Sequence, residues 1–152
     1  HKCDLRPPVL TLTNRVLPDV CILISRSMSR LVELGYLNGF EVVLPEFILD
    51  VVDRFKGSDK GAVSEELDHL RALEAKGKIK INNLSAIPVR VDSSNFQRED
   101  KVILGLAQLT NSILITSDRV LRDRAVIQER PTIYVSPDAF GQIKVIHEAR
   151  KP

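Results

Sequence analysis

The stretch Gln97–Ala125, QREDKVILGLAQLTNSILITSDRVLRDRA, constrains the fold more than any other part of this chain. Its apolar residues Val102, Ile103, Leu106, Ala107 and Leu109 recur three and four apart, which predicts a helix from about Arg98 to Thr110. Asn111 and Ser112 end it. Ile113–Thr116 is then a short apolar run, such as a strand buried on both faces of a parallel sheet presents. Ser117 or Asp118, each a good N-cap, opens another helix. In such a unit the helix runs antiparallel to the strands. Asp100, placed in the first turn of the first helix, and Asp118, just past the strand, therefore share one rim of the sheet. That rim, outside the carboxyl ends of the strands, is where open α/β sheets bind ligands. The same two residues also suit local work, one facing a helix dipole and the other as a cap.

The rest of the chain repeats the alternation. A short strand ends near Asp19, although Cys21–Ile24 is apolar enough to extend it. Met28, Leu31, Val32 and Leu34 predict a helix stopped by Gly35. Phe40–Leu44 reads as a second strand, Pro45 as a first helical residue, and Glu46–Phe55 as a helix. Gly57–Gly61 reads as a flexible loop. Val63, Leu67, Leu70 and Leu73 form one stripe of a helix to Lys76, stopped by Gly77 and suited to packing on the sheet or to self-association. Ile79–Ile81, interleaved with lysines, reads as an edge strand. Residues 83–96 are irregular, Thr132–Val135 is the last core strand, and Ile143–Ile146 reads as an extra strand on a polar tail. Strands alternating with helices predict a three-layer α/β/α sandwich with a mostly parallel central sheet. The expected organisation is a lead-in or extra strand over 1–15, one α/β domain over 16–137, and a tail or linker over 138–152.

Composition narrows the function. The 152 residues are 43% apolar with a net charge of +2, so one domain with a sizeable core is expected. Nothing in that charge argues globally for nucleic acid; a local patch must carry any such case. Two cysteines, Cys3 and Cys21, favour a reducing, cytoplasmic setting. The apolar spans are too short to cross a bilayer. An initial His instead of Met suggests a piece of a longer protein. His69 and His147 read as surface residues, and no His/Cys spacing suggests zinc.

If Asp19 ends the first strand, it joins Asp100 and Asp118 on the same rim. Crowded carboxylates need a proton or a cation to coexist. Hard oxygen ligands suit Mg²⁺ or Mn²⁺, which polarise phosphates and acidify water. Arg26, Arg30, Arg119, Arg122 and Arg124 lie near that rim. Arg26 and Arg119 are the best placed to position a phosphate, because each lies within a turn or two of a site acid.

These segments together resemble the PIN domains, above all the subgroup found with TRAM or ATPase modules. The resemblance spans about Val16–Val135. It rests on Leu17-Pro18-Asp19-Val20-Cys21-Ile22-Leu23-Ile24-Ser25-Arg26-Ser27-Met28, on Leu44-Pro45-Glu46-Phe47-Ile48-Leu49-Asp50-Val51-Val52, on the helix opened by Asp100 through Ala107, and on Thr116-Ser117-Asp118. It implies a metal-dependent ribonuclease with Asp19, Asp100 and Asp118 as catalytic and metal-binding acids and Thr116 as their hydrogen-bonding support. The family's helical Glu falls on Val51 and a further Asp on Ser25, and Val20-Cys21 stands where a Thr-Ser pair is usual. Asp50, one residue from the Glu position, is about 100° round the helix from it, and Asp53 about 200°. Ser25 and Asp50 are thus supporting candidates at most.

Two functions follow. One is a divalent-metal-dependent endoribonuclease acting on single-stranded RNA or flexible nucleic acid, weakened by an incomplete acidic site. The other is a non-catalytic PIN domain, binding nucleic acid or oligomerising within a larger protein, with no metal required. A receiver domain lacks support, since Asp19 stands alone after its strand and no Lys follows Thr132–Val135. A phosphatase with an aspartate two residues after the first is equally unsupported, because Asp19 is followed by Val20-Cys21.

Overall fold

The computed structural model describes residues 13–54, 57–84, 96–139 and 142–147. Most of the lead-in or extra strand expected over 1–15, Phe55 and most of residues 83–96 lie outside them. In chain order the elements are β1 (Arg15–Pro18), α1 (Val20–Ile24), α2 (Ser27–Glu33), β2 (Glu41–Pro45), α3 (Glu46–Val52), α4 (Gly57–Ala75), β3 (Lys80–Leu84), α5 (Phe96–Leu109), β4 (Ile113–Thr116), α6 (Arg119–Ile127), β5 (Thr132–Ala139) and β6 (Gln142–His147).

The six strands form one sheet in the order β3-β2-β1-β4-β5-β6. The first five are parallel and β6 runs antiparallel on β5. The extra strand expected at Ile143–Ile146 therefore belongs to the sheet. Val16 faces Val42 on one side and Ile113 on the other, which makes β1 central although it comes first in the chain. Val16, Leu17, Val42, Val43, Ile113, Leu114 and Ile115 are fully buried, as the continuous apolar runs of a doubly covered parallel sheet require. From β1 the chain steps one way, to β2 and then β3. It then crosses to β4 and steps the other way, to β5. Right-handed crossovers put α1–α4 on one face and α5–α6 on the other. The packing agrees: α4 lies on α1, α2 and α3, whereas α5 and α6 rest on β4. The result is the expected three-layer α/β/α sandwich. Among the described residues no helix is long and apolar enough to cross a membrane.

Several local expectations are corrected. Cys21–Ile24 is helical rather than an extension of β1, because Asp19 caps α1 through its carboxylate, which accepts from Val20 N at 2.7 Å. Pro45 closes β2 and sits at the N-cap position of α3 with ψ 142, not inside the helix. Gly57–Gly61 is the first turn of α4, not a loop. Asp59 complements the helix dipole there, and packing of the 19-residue helix outweighs the cost of Gly61, about 1 kcal/mol. The Val63–Leu73 stripe packs against the neighbouring helices and the β3 edge, with Val63, Leu70 and Leu73 buried. α5 starts at Phe96 and not near Arg98, so Asp100 lies about half a turn further in than the apolar spacing suggests.

Four helices stop in the same way. After α2, α4, α5 and α6 the chain takes a positive φ at Gly35, Gly77, Asn111 and Glu129. The next residue's N–H then returns to a carbonyl in the last turn: Tyr36 to Leu31, Lys78 to Leu73, Ser112 to Ala107 and Arg130 to Ala125. This is the Schellman stop, which satisfies carbonyls that helix ends leave unpaired.

Candidate functional site

β1 and β4 are neighbours from which the chain departs in opposite directions. The crevice beyond their carboxyl ends is the topological switch point, where sheets of this class bind ligands. Asp19 follows β1, and Thr116 and Asp118 end and follow β4. The backbones are tied there by Asp19 N donating to Ile115 O at 2.8 Å.

The side chains are joined as well. The Thr116 hydroxyl, fully buried, donates to Asp19 Oδ2 at 3.0 Å and accepts from Asp118 N at 3.0 Å. Cys21 Sγ donates to the same Asp19 oxygen at 3.2 Å and in turn accepts from Ser117 Oγ at 3.2 Å. Asp118 is exposed and caps α6, its Oδ1 accepting from Val120 N at 2.8 Å and Leu121 N at 3.3 Å. Thr116 thus binds the first acid while fixing the loop that carries the second.

Burial raises the Asp19 pKa above the usual aspartate range. Donors from Cys21, Val20 and Thr116 oppose this, and the charge of Asp118 adds to it. Burial, followed by the charge of Asp19, pushes the Cys21 thiol up to about 12, so it is a proton-bearing donor and not a nucleophile.

Asp100 lies on α5 and pairs with Arg124 of α6. It is partly buried, and its Oδ2 lies 3.7 Å from Arg124 Nη1. Among the described residues no group of three or more His, Cys, Asp or Glu side chains is assembled to hold a metal ion. Ser25 ends α1, its hydroxyl donating to Ile22 O at 3.2 Å and lying 2.7 Å from Ser27 Oγ. Asp50 and Asp53 are exposed around α3, while Val51, where the resemblance would put a Glu, is 4% exposed and faces the core. Arg26 has φ 60 and leans on Glu65 at 3.7 Å and Glu66 at 3.9 Å. Arg119 is the exposed first residue of α6.

No protein-family model matches the chain, and no curated protein matches it. Among solved structures it is similar to a domain of a functionally unknown protein from Methanocaldococcus jannaschii DSM 2661. The two share 23% identity with a TM-score of 0.71, over 87% of this chain and 97% of that one. The likeness is one of fold.

Whether a divalent cation suits this rim is decided by the donors. Asp19 and Asp118 offer hard carboxylate oxygens, the ligand type of Mg²⁺ and Mn²⁺. Asp118 Oδ2 has no partner among the described residues, and ionised Asp19 has a neighbouring negative charge to offset. Both are of the oxygen-donor type that Mg²⁺ takes while keeping several waters. Asp100 pairs with Arg124.

The sequence did not point to two features. Cys21, two residues after Asp19, donates from Sγ to the Asp19 carboxylate. Glu66 is fully buried on α4, accepting from Ser29 N at 2.8 Å and Ser29 Oγ at 2.7 Å. It caps the start of α2 from another helix. Its place one residue before Leu67 of the apolar stripe was the only available hint.

Proposed function

We propose that the chain is a PIN-like domain and a divalent-metal-dependent phosphodiesterase acting on single-stranded RNA or flexible nucleic acid. The observation that supports this most is the meeting of Asp19, Thr116 and Asp118 at the switch point between β1 and β4.

When bound, Mg²⁺ or Mn²⁺ at such a site supplies Lewis-acid polarisation of the phosphodiester and lowers the pKa of water. The chain's own residues do the rest. Thr116 and Cys21 aim Asp19 Oδ2 into the crevice, and Val20 N holds Oδ1. Asp118 presents its free oxygen from the start of α6. Ionised Asp19 and Asp118 repel one another, which favours occupation of the crevice by a cation over occupation by an anion. Arg119, exposed beside Asp118, engages a backbone phosphate and orients the strand without reading its sequence. With two well-placed acids the activity is low and favours Mn²⁺.

A second reading is a non-catalytic PIN-like module that binds nucleic acid or self-associates within a longer, cytoplasmic protein. The buried Val51 and the Asp100–Arg124 pair favour it. Incubation of the chain with fluorescent single-stranded RNA and DNA in millimolar Mn²⁺, beside Asp118→Asn, separates the two. The first reading expects cleavage that the substitution reduces at least a hundredfold. Retained RNA binding without cleavage selects the second, and cleavage surviving the substitution assigns the activity to a contaminant.

A further inference from the structure

We infer that Arg119 and Arg122 form a two-phosphate clamp, so that a bound single strand leaves the crevice over α6 and not over α3. The inference rests on the nucleic-acid reading proposed above and not on the metal.

Four observations support it. First, the two sides of the rim differ in charge. α3 and α6 both begin there, after β2 and β4, the strands that flank β1. Within Glu46–Asp53 there are three exposed carboxylates, Glu46, Asp50 and Asp53, and no Lys or Arg. α6 carries Arg119, Arg122 and Arg124 against Asp123 and the capping Asp118. A polyanion leaving the crevice is repelled on the first side and attracted on the second. Second, Arg119 and Arg122 are three residues apart and so are neighbours on one face of α6. That step is comparable to the one between successive phosphates of an extended strand.

Third, Arg122 is held ready for a ligand. Its guanidinium lies 4.6 Å over the centre of the Tyr134 ring, and its Nε and Nη2 meet Asp123 Oδ1 at 3.1 and 3.0 Å. A planar cation already fixed on an aromatic face loses little further freedom when an anion arrives. The Asp123 side chain is 63% exposed, so its hold on Arg122 is weak enough to yield to phosphate. Fourth, this platform is level with the crevice. Tyr134 pairs in register with Thr116 on the neighbouring strand, about 4.8 Å away. Thr116 is the residue whose hydroxyl joins Asp19 to the Asp118 loop, and Arg119 directly follows Asp118.

The experiment is fluorescence anisotropy of a labelled single-stranded oligouridylate titrated with the full chain over a range of KCl, in EDTA so that neither a metal nor cleavage enters. It compares wild type, Arg119→Gln, Arg122→Gln, Arg71→Gln and Glu46→Gln/Asp53→Asn, with circular dichroism confirming folding. Arg119→Gln and Arg122→Gln should each weaken binding about threefold to fivefold and lower the slope of log affinity against log salt by about 0.7. Arg71→Gln, exposed on α4, should leave both unchanged, as should the α3 double variant. An equal loss in Arg71→Gln reduces the effect to net charge and overturns the inference. A gain in the α3 variant as large as the arginine losses puts the strand on α3 and also overturns it. Unchanged binding in Arg119→Gln and Arg122→Gln overturns it while the nucleic-acid reading stands on wild-type binding; Arg119 is exposed, so this arm survives even if Arg122→Gln misfolds. If folded wild type does not bind the strand at low salt, that reading falls and the inference with it.

Discussion

Asp19 shows how a single residue couples the fold to its chemistry. Its raised pKa means that the folded chain holds this proton more tightly than the unfolded chain does. The associated stability is fully present below the ordinary aspartate value of 3.8 and is lost as pH rises through the raised value. Asp19→Asn should therefore melt at a higher temperature than wild type at pH 7, with the difference vanishing near pH 3; thermal melts across pH check this. Cys21 carries the same sign at the alkaline end, its contribution intact below the usual thiol range and lost as pH approaches about 12. At pH 8 the native protein should alkylate at Cys21 with iodoacetamide no faster than it unfolds, as mass spectrometry of that peptide would show. Both carboxylates of this group were legible in the sequence, because N-caps after short apolar strands fall at predictable places. Thr116 was expected beside them only through the family resemblance; the part of Cys21 and Ser117 was not, because it depends on the register of β1 against β4.

At the scale of elements, the helix stops divide into those whose residue suits a positive φ and one whose residue does not. Gly35, Gly77 and Asn111 are the residues expected there; Glu129, at φ 56, is not. Glu129→Gly should stabilise the protein by about 1 kcal/mol, measured by urea denaturation. Glu66 is a contrasting case. Replacing it by Leu strands the Ser29 N–H and hydroxyl in the interior and should cost about 3 kcal/mol, whereas Glu66→Gln keeps an acceptor and should cost less. Most elements could be read from apolar spacing and from Gly35, Gly77 and Asn111. Gly57–Gly61 misled because its residues favour a turn locally, while packing of α4 against α1–α3 decides the outcome. Asp100 lies deeper in its helix than expected for a related reason: α5 begins before its apolar pattern does.

At the scale of the whole molecule, a ligand bound by the folded state and not by the unfolded chain raises stability by mass action. Mn²⁺ at a hundred times its dissociation constant should add about 2.7 kcal/mol. For a chain of this size that is roughly 5–10 °C in melting temperature. Differential scanning calorimetry should show this rise in wild type and its absence in Asp19→Asn. The alternation of strands and helices, and with it the sandwich, followed from sequence because each short apolar run has to be covered on both sides. The strand order has a further consequence. The hydrogen bond from Thr116 to Asp19 spans 97 residues, and β1, though first in the chain, waits in the middle of the sheet for β4. During synthesis the leading strand leaves the ribosome long before its inner partner exists. The crevice is thus among the last parts to take shape, and a nascent chain halted before residue 113 still lacks the strand that closes it.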